Sequence, residues 1–146
     1  MRARSRIATV IGGIAAATML TITSASAVDG DERATSTGGP DSGAICTSGG
    51  SWSQACFYHE GDWFGVRDTY EDGLSAVIEW FLQVPTTGEK VRSGRIWNPD
   101  GVDAGWRSKN KDFTEGYYVN FRACRGSYSR LNVQAGSCSP WHAKKA

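Results

Sequence analysis

The sequence predicts an all-β fold, a compact sandwich or barrel-like antiparallel sheet of six to eight short strands. Three observations carry that expectation. From Leu74 to Gln83 the side chains alternate: Leu74, Ala76, Ile78, Trp80 and Leu82 share one face, and Ser75, Val77, Glu79, Phe81 and Gln83 the other. A period of two marks a strand with one buried face; a helix would scatter the same residues around its cylinder. Turn signatures punctuate the chain at Gly61-Asp62, Asp72-Gly73 and Asn98-Pro99-Asp100-Gly101, where residues tolerant of positive φ are needed. Finally, no stretch beyond the first 27 residues carries helical periodicity.

Arg2, Arg4 and Arg6 precede an apolar run from Ile7 to Ile22, and Ala25-Ser26-Ala27 follows. A basic head, a short apolar middle and a small-residue exit read as a secretory signal peptide over residues 1–27, cleaved after Ala27. The run falls short of the roughly 20 strongly apolar residues that span a bilayer, so no membrane span is expected after cleavage. The leader holds three of the 16 basic residues and no acidic one, which leaves 13 basic against 15 acidic, a formal charge of −2. That balance argues against nucleic acid as a main partner, because phosphate binding needs a basic surface.

Residues 28–54 are Gly, Ser, Thr, Asp and Pro with almost no large apolar side chain. Such a segment buries too little to offset its ordering entropy and is expected to be a disordered spacer. Residues 55–141 then form a single β domain, and 142–146 a frayed tail. The first strands run from Ala55 through two turns, with Phe64 and Val66 inward and Trp63 and Arg67 outward. Ser93–Trp97 is a further strand. Tyr117–Cys124 alternates Tyr117, Val119, Phe121 and Ala123 against Tyr118, Asn120, Arg122 and Cys124, and Tyr128–Ala135 alternates with Leu131 and Val133 inward.

Four cysteines, Cys46, Cys56, Cys124 and Cys138, follow the leader. An even count in a small exported domain reads as two disulfides. A zinc site would need close pairs of the C-x2-C kind, whereas the shortest gap here is nine residues. Of the three connectivities, neighbours in a meander favour Cys46–Cys56 and Cys124–Cys138.

Catalytic signatures are sparse. Of the two histidines, His59 sits at a hairpin edge and His142 in the tail, and no serine lies in a Gly-x-Ser-x-Gly elbow. No phosphate loop or dinucleotide fingerprint is present. Asp68, Asp72, Gly73 and Glu79 match four positions of an EF-hand loop, but Tyr70 stands where the third ligand belongs and the flanks read as strands. No cofactor is expected; the one metal reading is a looser Ca²⁺ site from Asp68, Glu71 and Asp72, set against an acidic turn chosen for backbone geometry. If one face of each strand is buried, Tyr58, Trp63, Phe81, Tyr118 and Tyr128 fall on the other. They predict an aromatic ligand strip centred on Trp63.

The order Gly61-Asp62-x-Phe64, Asp68-Thr69, Asp72-Gly73-x-Ser75-Ala76, Trp97-Asn98, Glu115-Gly116 and a Cys124-to-Cys138 tail resembles a group of small secreted actinobacterial proteins of uncharacterised function. The resemblance implies a compact exported β-domain. Tyr58-x4-Trp63-x-Gly65 with Asp72-Gly73-Leu74-Ser75 is similar to a βγ-crystallin Greek-key motif, a fold that also hosts secreted protease inhibitors. Three functions follow as expectations. The first is a secreted, non-catalytic module that binds an extracellular protein or polysaccharide. The second is a protease inhibitor that presents Pro85–Lys90, and the third a small hydrolase.

Overall fold

The computed structural model describes residues 26–146. The expected leader lies outside the described residues except for Ser26 and Ala27. Eleven strands form two sheets: β1 (Ala27–Arg33), β2 (Ser36–Thr37), β3 (Ile45–Gly49), β4 (Ser53–Tyr58), β5 (Trp63–Asp68), β6 (Ser75–Gln83), β7 (Lys90–Asn98), β8 (Trp106–Asn110), β9 (Tyr118–Ser127), β10 (Asn132–Val133) and β11 (His142–Lys145). The six-stranded sheet runs β1-β7-β6-β9-β10, with β11 also on β9, and the five-stranded sheet runs β2-β8-β5-β4-β3. The fold is all-β, as the sequence predicts. All pairings are antiparallel except that of β1 with β7. No helix among the described residues is long and apolar enough to cross a membrane.

The sheets face each other across the alternating apolar residues. Phe57, Phe64, Ile78, Ile96, Val119 and Phe121 are fully buried, and Trp80 nearly so. Phe64 lies between Phe57 (ring centroids 5.0 Å) and Trp80 (6.0 Å), and Phe113 closes on Trp80 at 5.1 Å. Such tilted aromatic contacts add about 0.5–1.5 kcal/mol per pair beyond area burial. Both disulfides form with the favoured connectivity, Cys46–Cys56 and Cys124–Cys138. The first joins directly opposed residues of β3 and β4. The second ties the return from β10 to β11 onto β9.

Three expectations need correction. The segment 28–54 contains β1 and β3. β3 is held by its pairing with β4 and by the Cys46–Cys56 disulfide, and β1 by its pairing with β7 together with charge: Asp29 receives two 2.8 Å hydrogen bonds from Arg92, and Asp31 accepts from Arg95 (2.8 Å) and from Trp97 Nε1 (2.7 Å). Glu32 pairs with Lys109 at 3.3 Å, and Lys111 contacts both Asp29 and Glu32. The arginine and Trp97 contacts join β1 to β7 within one sheet, and Lys109 and Lys111 staple it to β8 and its extension in the other.

The tail is not frayed either. β11 pairs with β9 from His142↔Phe121 to Lys145↔Tyr118, and Ala146 exchanges backbone hydrogen bonds with Tyr117 and Gly116. Tyr128–Ala135 is not one strand but a 3-10 turn (Tyr128–Arg130) followed by the two-residue β10. Leu131, expected inward, is 45% exposed at φ 49°. Chain reversal there needs a left-handed residue, and that breaks the alternation.

Candidate surface site

The outer face of the six-stranded sheet can be read in rows across the strands. One row is Lys90, Gln83, Tyr118 and Lys145; the next is Ser93, Phe81 and Asn120; the third is Asp31, Arg95, Glu79 and Arg122. Beyond it, Val77, Trp97 and Cys124 are fully buried under Tyr128, Val133 and Cys138. The β9–β11 return therefore covers one end of this face and leaves the other open. Tyr128, ring-to-ring with Trp97 at 5.8 Å, belongs to that cover and leaves the expected strip.

At the boundary between the covered and open ends, Trp141 meets Phe81 edge-on, with centroids 4.9 Å apart. Trp141 is 44% exposed and Phe81 half-buried. Arg122 lies 4.5 Å above the Trp141 ring and Lys90 4.2 Å above that of Phe81. Beside the pair is a shallow concavity of about 400 Å³, lined among others by Asp31, Glu79, Ser93, Gly94 and Arg95. Gly94 is among the lining residues, and a Cβ there would point to the inner side of the sheet, 3.0 Å from Trp80 and 3.1 Å from Asp29 Cβ. The charged groups of the third row are held in place. Arg122 donates two hydrogen bonds to Glu79 (2.9 and 2.6 Å), and Arg95 bonds both Asp31 and the Leu131 carbonyl (3.0 Å). Fixed ion pairs beside aromatic faces can accept and donate hydrogen bonds to a polyhydroxylated ligand without rearranging.

Of the four strip residues that remain without Tyr128, only Phe81 and Tyr118 lie on this face. Tyr58 and Trp63 are cross-strand neighbours in the other sheet. There they edge a smaller concavity of about 280 Å³ with Asp41, Glu60 and the Ser36–Gly39 segment. The strip centred on Trp63 is thus divided between two sheets. Local alternation assigns a residue to a face of its own strand, and both sheets have an outer face.

In the acidic turn, Asp68 and Asp72 are engaged by the chain itself. Asp68 is buried and accepts the Tyr70 N–H at 3.1 Å, Asp72 accepts the Leu74 N–H at 2.9 Å and pairs with Arg125, and Glu71 is exposed. Burial holds the Asp68 carboxyl above the usual carboxylate range. Among the described residues the one group with three clustered ligand atoms is Glu79, Cys124 and Cys138, whose two sulfurs are bonded to each other. The turn chemistry accounts for Asp68 and Asp72.

Two other expected features have clear geometry. Pro85–Lys90 is a tight hairpin turn in which Val84 donates to the Glu89 carbonyl and Gly88 to that of Val84, both at 2.9 Å. It presents no extended strand to a protease. Next to the exposed His59, Asp62 occupies φ 54° and is buried. One oxygen accepts the Phe113 N–H at 2.8 Å and the other is unpaired. Burial raises its carboxyl above the ordinary value.

Sequence reasoning missed Trp141, Lys90, Arg95, Arg122 and Asp31. Glu79 and Arg122 were legible as outward-facing, but their meeting with Trp141 depends on the tail returning to β9. Comparison with family models, characterised proteins and solved structures finds no match to this chain.

Proposed function

We propose that this chain is an exported, non-catalytic binding module whose ligand seat is the open end of the six-stranded sheet. Export rests on the leader-like residues 1–27 and fits a domain with two disulfides and no membrane-spanning helix among its described residues. The observation that supports binding is the partly exposed Phe81–Trp141 pair at a shallow concavity of mixed apolar and charged lining. A large aromatic left in water at the rim of a concavity is a feature of recognition surfaces.

The test is a screen of extracellular polysaccharides and proteins with the wild-type domain, Trp141→Ala and Phe81→Ala. Each variant should bind its best ligand at least tenfold more weakly, while its melting temperature stays within a few degrees of wild type. Unchanged binding in both variants would overturn the proposal.

A further inference from the structure

From the charge laid out on this face we infer that the seat takes a carboxylated polysaccharide, one with a uronic-acid type of unit. The inference rests on the binding reading above and adds the ligand class. Residues 28–146 carry 13 basic and 15 acidic side chains. The open face reverses that balance, with Lys90, Arg95, Arg122 and Lys145 against Asp31 and Glu79. Arg95 and Arg122 are neutralised by those two carboxylates. Lys90 and Lys145 have no carboxylate within salt-bridge distance among the described residues. Each lies over an aromatic ring instead, Lys90 over Phe81 at 4.2 Å and Lys145 over Tyr118 at 5.6 Å.

The two ammonium groups end one cross-strand row, from Lys90 on β7 through Gln83 and Tyr118 to Lys145 on β11. Three strand spacings separate their backbones by about 14 Å. An extended polymer laid along that row meets a cation at each end, with an amide and a phenol between. It has Phe81 and Trp141 one row deeper. Charge pairing then supplies the attraction, and ring stacking supplies the apolar contact.

The third row decides between kinds of polyanion. Glu79 and Asp31 line the floor of the concavity. They accept hydrogen bonds from sugar hydroxyls, but the row, neutral with each acid paired to an arginine, offers no net attraction to the densely spaced phosphates of a nucleic acid, about one charge per 1.7 Å of duplex. A polyglutamate chain has carboxylates but no hydroxyls to offer them. A carboxylated glycan satisfies both rows, with carboxylates at the lysines and hydroxyls at the acids.

The experiment is affinity electrophoresis and titration calorimetry with polygalacturonate, a neutral β-glucan and polyglutamate. The proteins are wild type, Lys90→Gln/Lys145→Gln, Lys90→Arg and Trp141→Ala, each checked for an unchanged melting temperature. Polygalacturonate should bind best and weaken with added salt. The double lysine variant should lose at least tenfold, Lys90→Arg should keep most of the affinity, and Trp141→Ala should lose at least tenfold. If the neutral glucan binds as well and only Trp141→Ala matters, the seat stands and the carboxylate inference falls. If polyglutamate binds as tightly as polygalacturonate, or polygalacturonate does not bind, the inference also falls. If polygalacturonate binds but Trp141→Ala has no effect, the seat itself is wrong.

Discussion

Lys111→Met tests whether charge, in place of apolar burial, is what orders β1. The Lys111 side chain is 4% exposed, touches Asp29 and Glu32, and lies 5.2 Å from the Trp80 ring. Methionine keeps most of the volume against Trp80, so the cavity term is small. What is lost is one cation from each carboxylate. Removing one partner of a fully buried pair costs about 3–5 kcal/mol. Here the carboxylates are 12% and 24% exposed and each keeps a second cation, Arg92 for Asp29 and Lys109 for Glu32. The expected loss is therefore about 2–3 kcal/mol, or about 8–12 °C in melting temperature for a domain of this size. Equilibrium urea unfolding at pH 7 with disulfides intact measures it. Lys111→Met/Glu32→Gln should recover part of the loss, because the second change removes a partly buried carboxylate left with one of its two cations. A loss below about 0.5 kcal/mol, with no recovery in the double variant, would refute the argument that ion pairs seat the strand.

Two further outcomes follow from burial. Trp80→Ala should cost about 3–5 kcal/mol, since Trp80 is 2% exposed within the aromatic core, whereas the half-buried Trp63 should cost under about 2 when changed to Ala; equal losses in urea titrations would place Trp63 in a core. The acid limb of stability should divide by residue. Burial pushes the Asp29 carboxyl up, but hydrogen bonds and charge from Arg92 and Lys111 more than reverse this, leaving it below the ordinary value. Its stabilisation is present above the unfolded pKa near 3.9 and is lost as pH falls through the lower folded value. Asp62, raised chiefly by burial, acts in the opposite sense, contributing below about 3.9 and losing that contribution as pH rises through its folded value. In melts from pH 2 to 8, the cost of Asp29→Asn should shrink toward low pH and that of Asp62→Asn should grow. Parallel pH profiles for the two variants would contradict both assignments.

The parts of this fold that were legible in the sequence are those in which a single strand carries its own instruction. β6 shows both faces by alternation, and Ala76, Ile78, Trp80 and Leu82 are buried as that pattern requires. The disulfides were legible because each joins cysteines near in sequence, Cys46–Cys56 across neighbouring strands and Cys124–Cys138 from β9 to the return that follows β10. β1 was not, because Ala-Val-Asp-Gly-Asp-Glu-Arg has no apolar stripe and its partners lie 63 to 82 residues away. The tail failed for the same reason: His-Ala-Lys-Lys becomes a strand only because β9 offers a free edge beside Tyr118–Phe121. The site was half legible. Glu79, Phe81, Tyr118 and Arg122 could be assigned an outward face, but a period of two cannot say which of two sheets Tyr58 and Trp63 belong to.

That division also explains why a binding surface can sit on β6 without weakening the fold. The inner side chains of the strand contribute core burial, which is insensitive to what lies on the other face. The outer residues Glu79 and Phe81 are braced laterally, by Arg122 and Arg95 across the strands and by Trp141 and Lys90 above. Partly exposed ion pairs of this kind add little to stability, a median of about 0–1 kcal/mol each. They do fix the rotamers of long side chains before any ligand arrives, which lowers the ordering entropy that binding would otherwise cost, about 0.5–1.5 kcal/mol per side chain. Substitutions at Glu79 or Arg122 should therefore act on affinity far more than on unfolding, whereas those at Ile78 or Trp80, one position away along the same strand, should do the reverse.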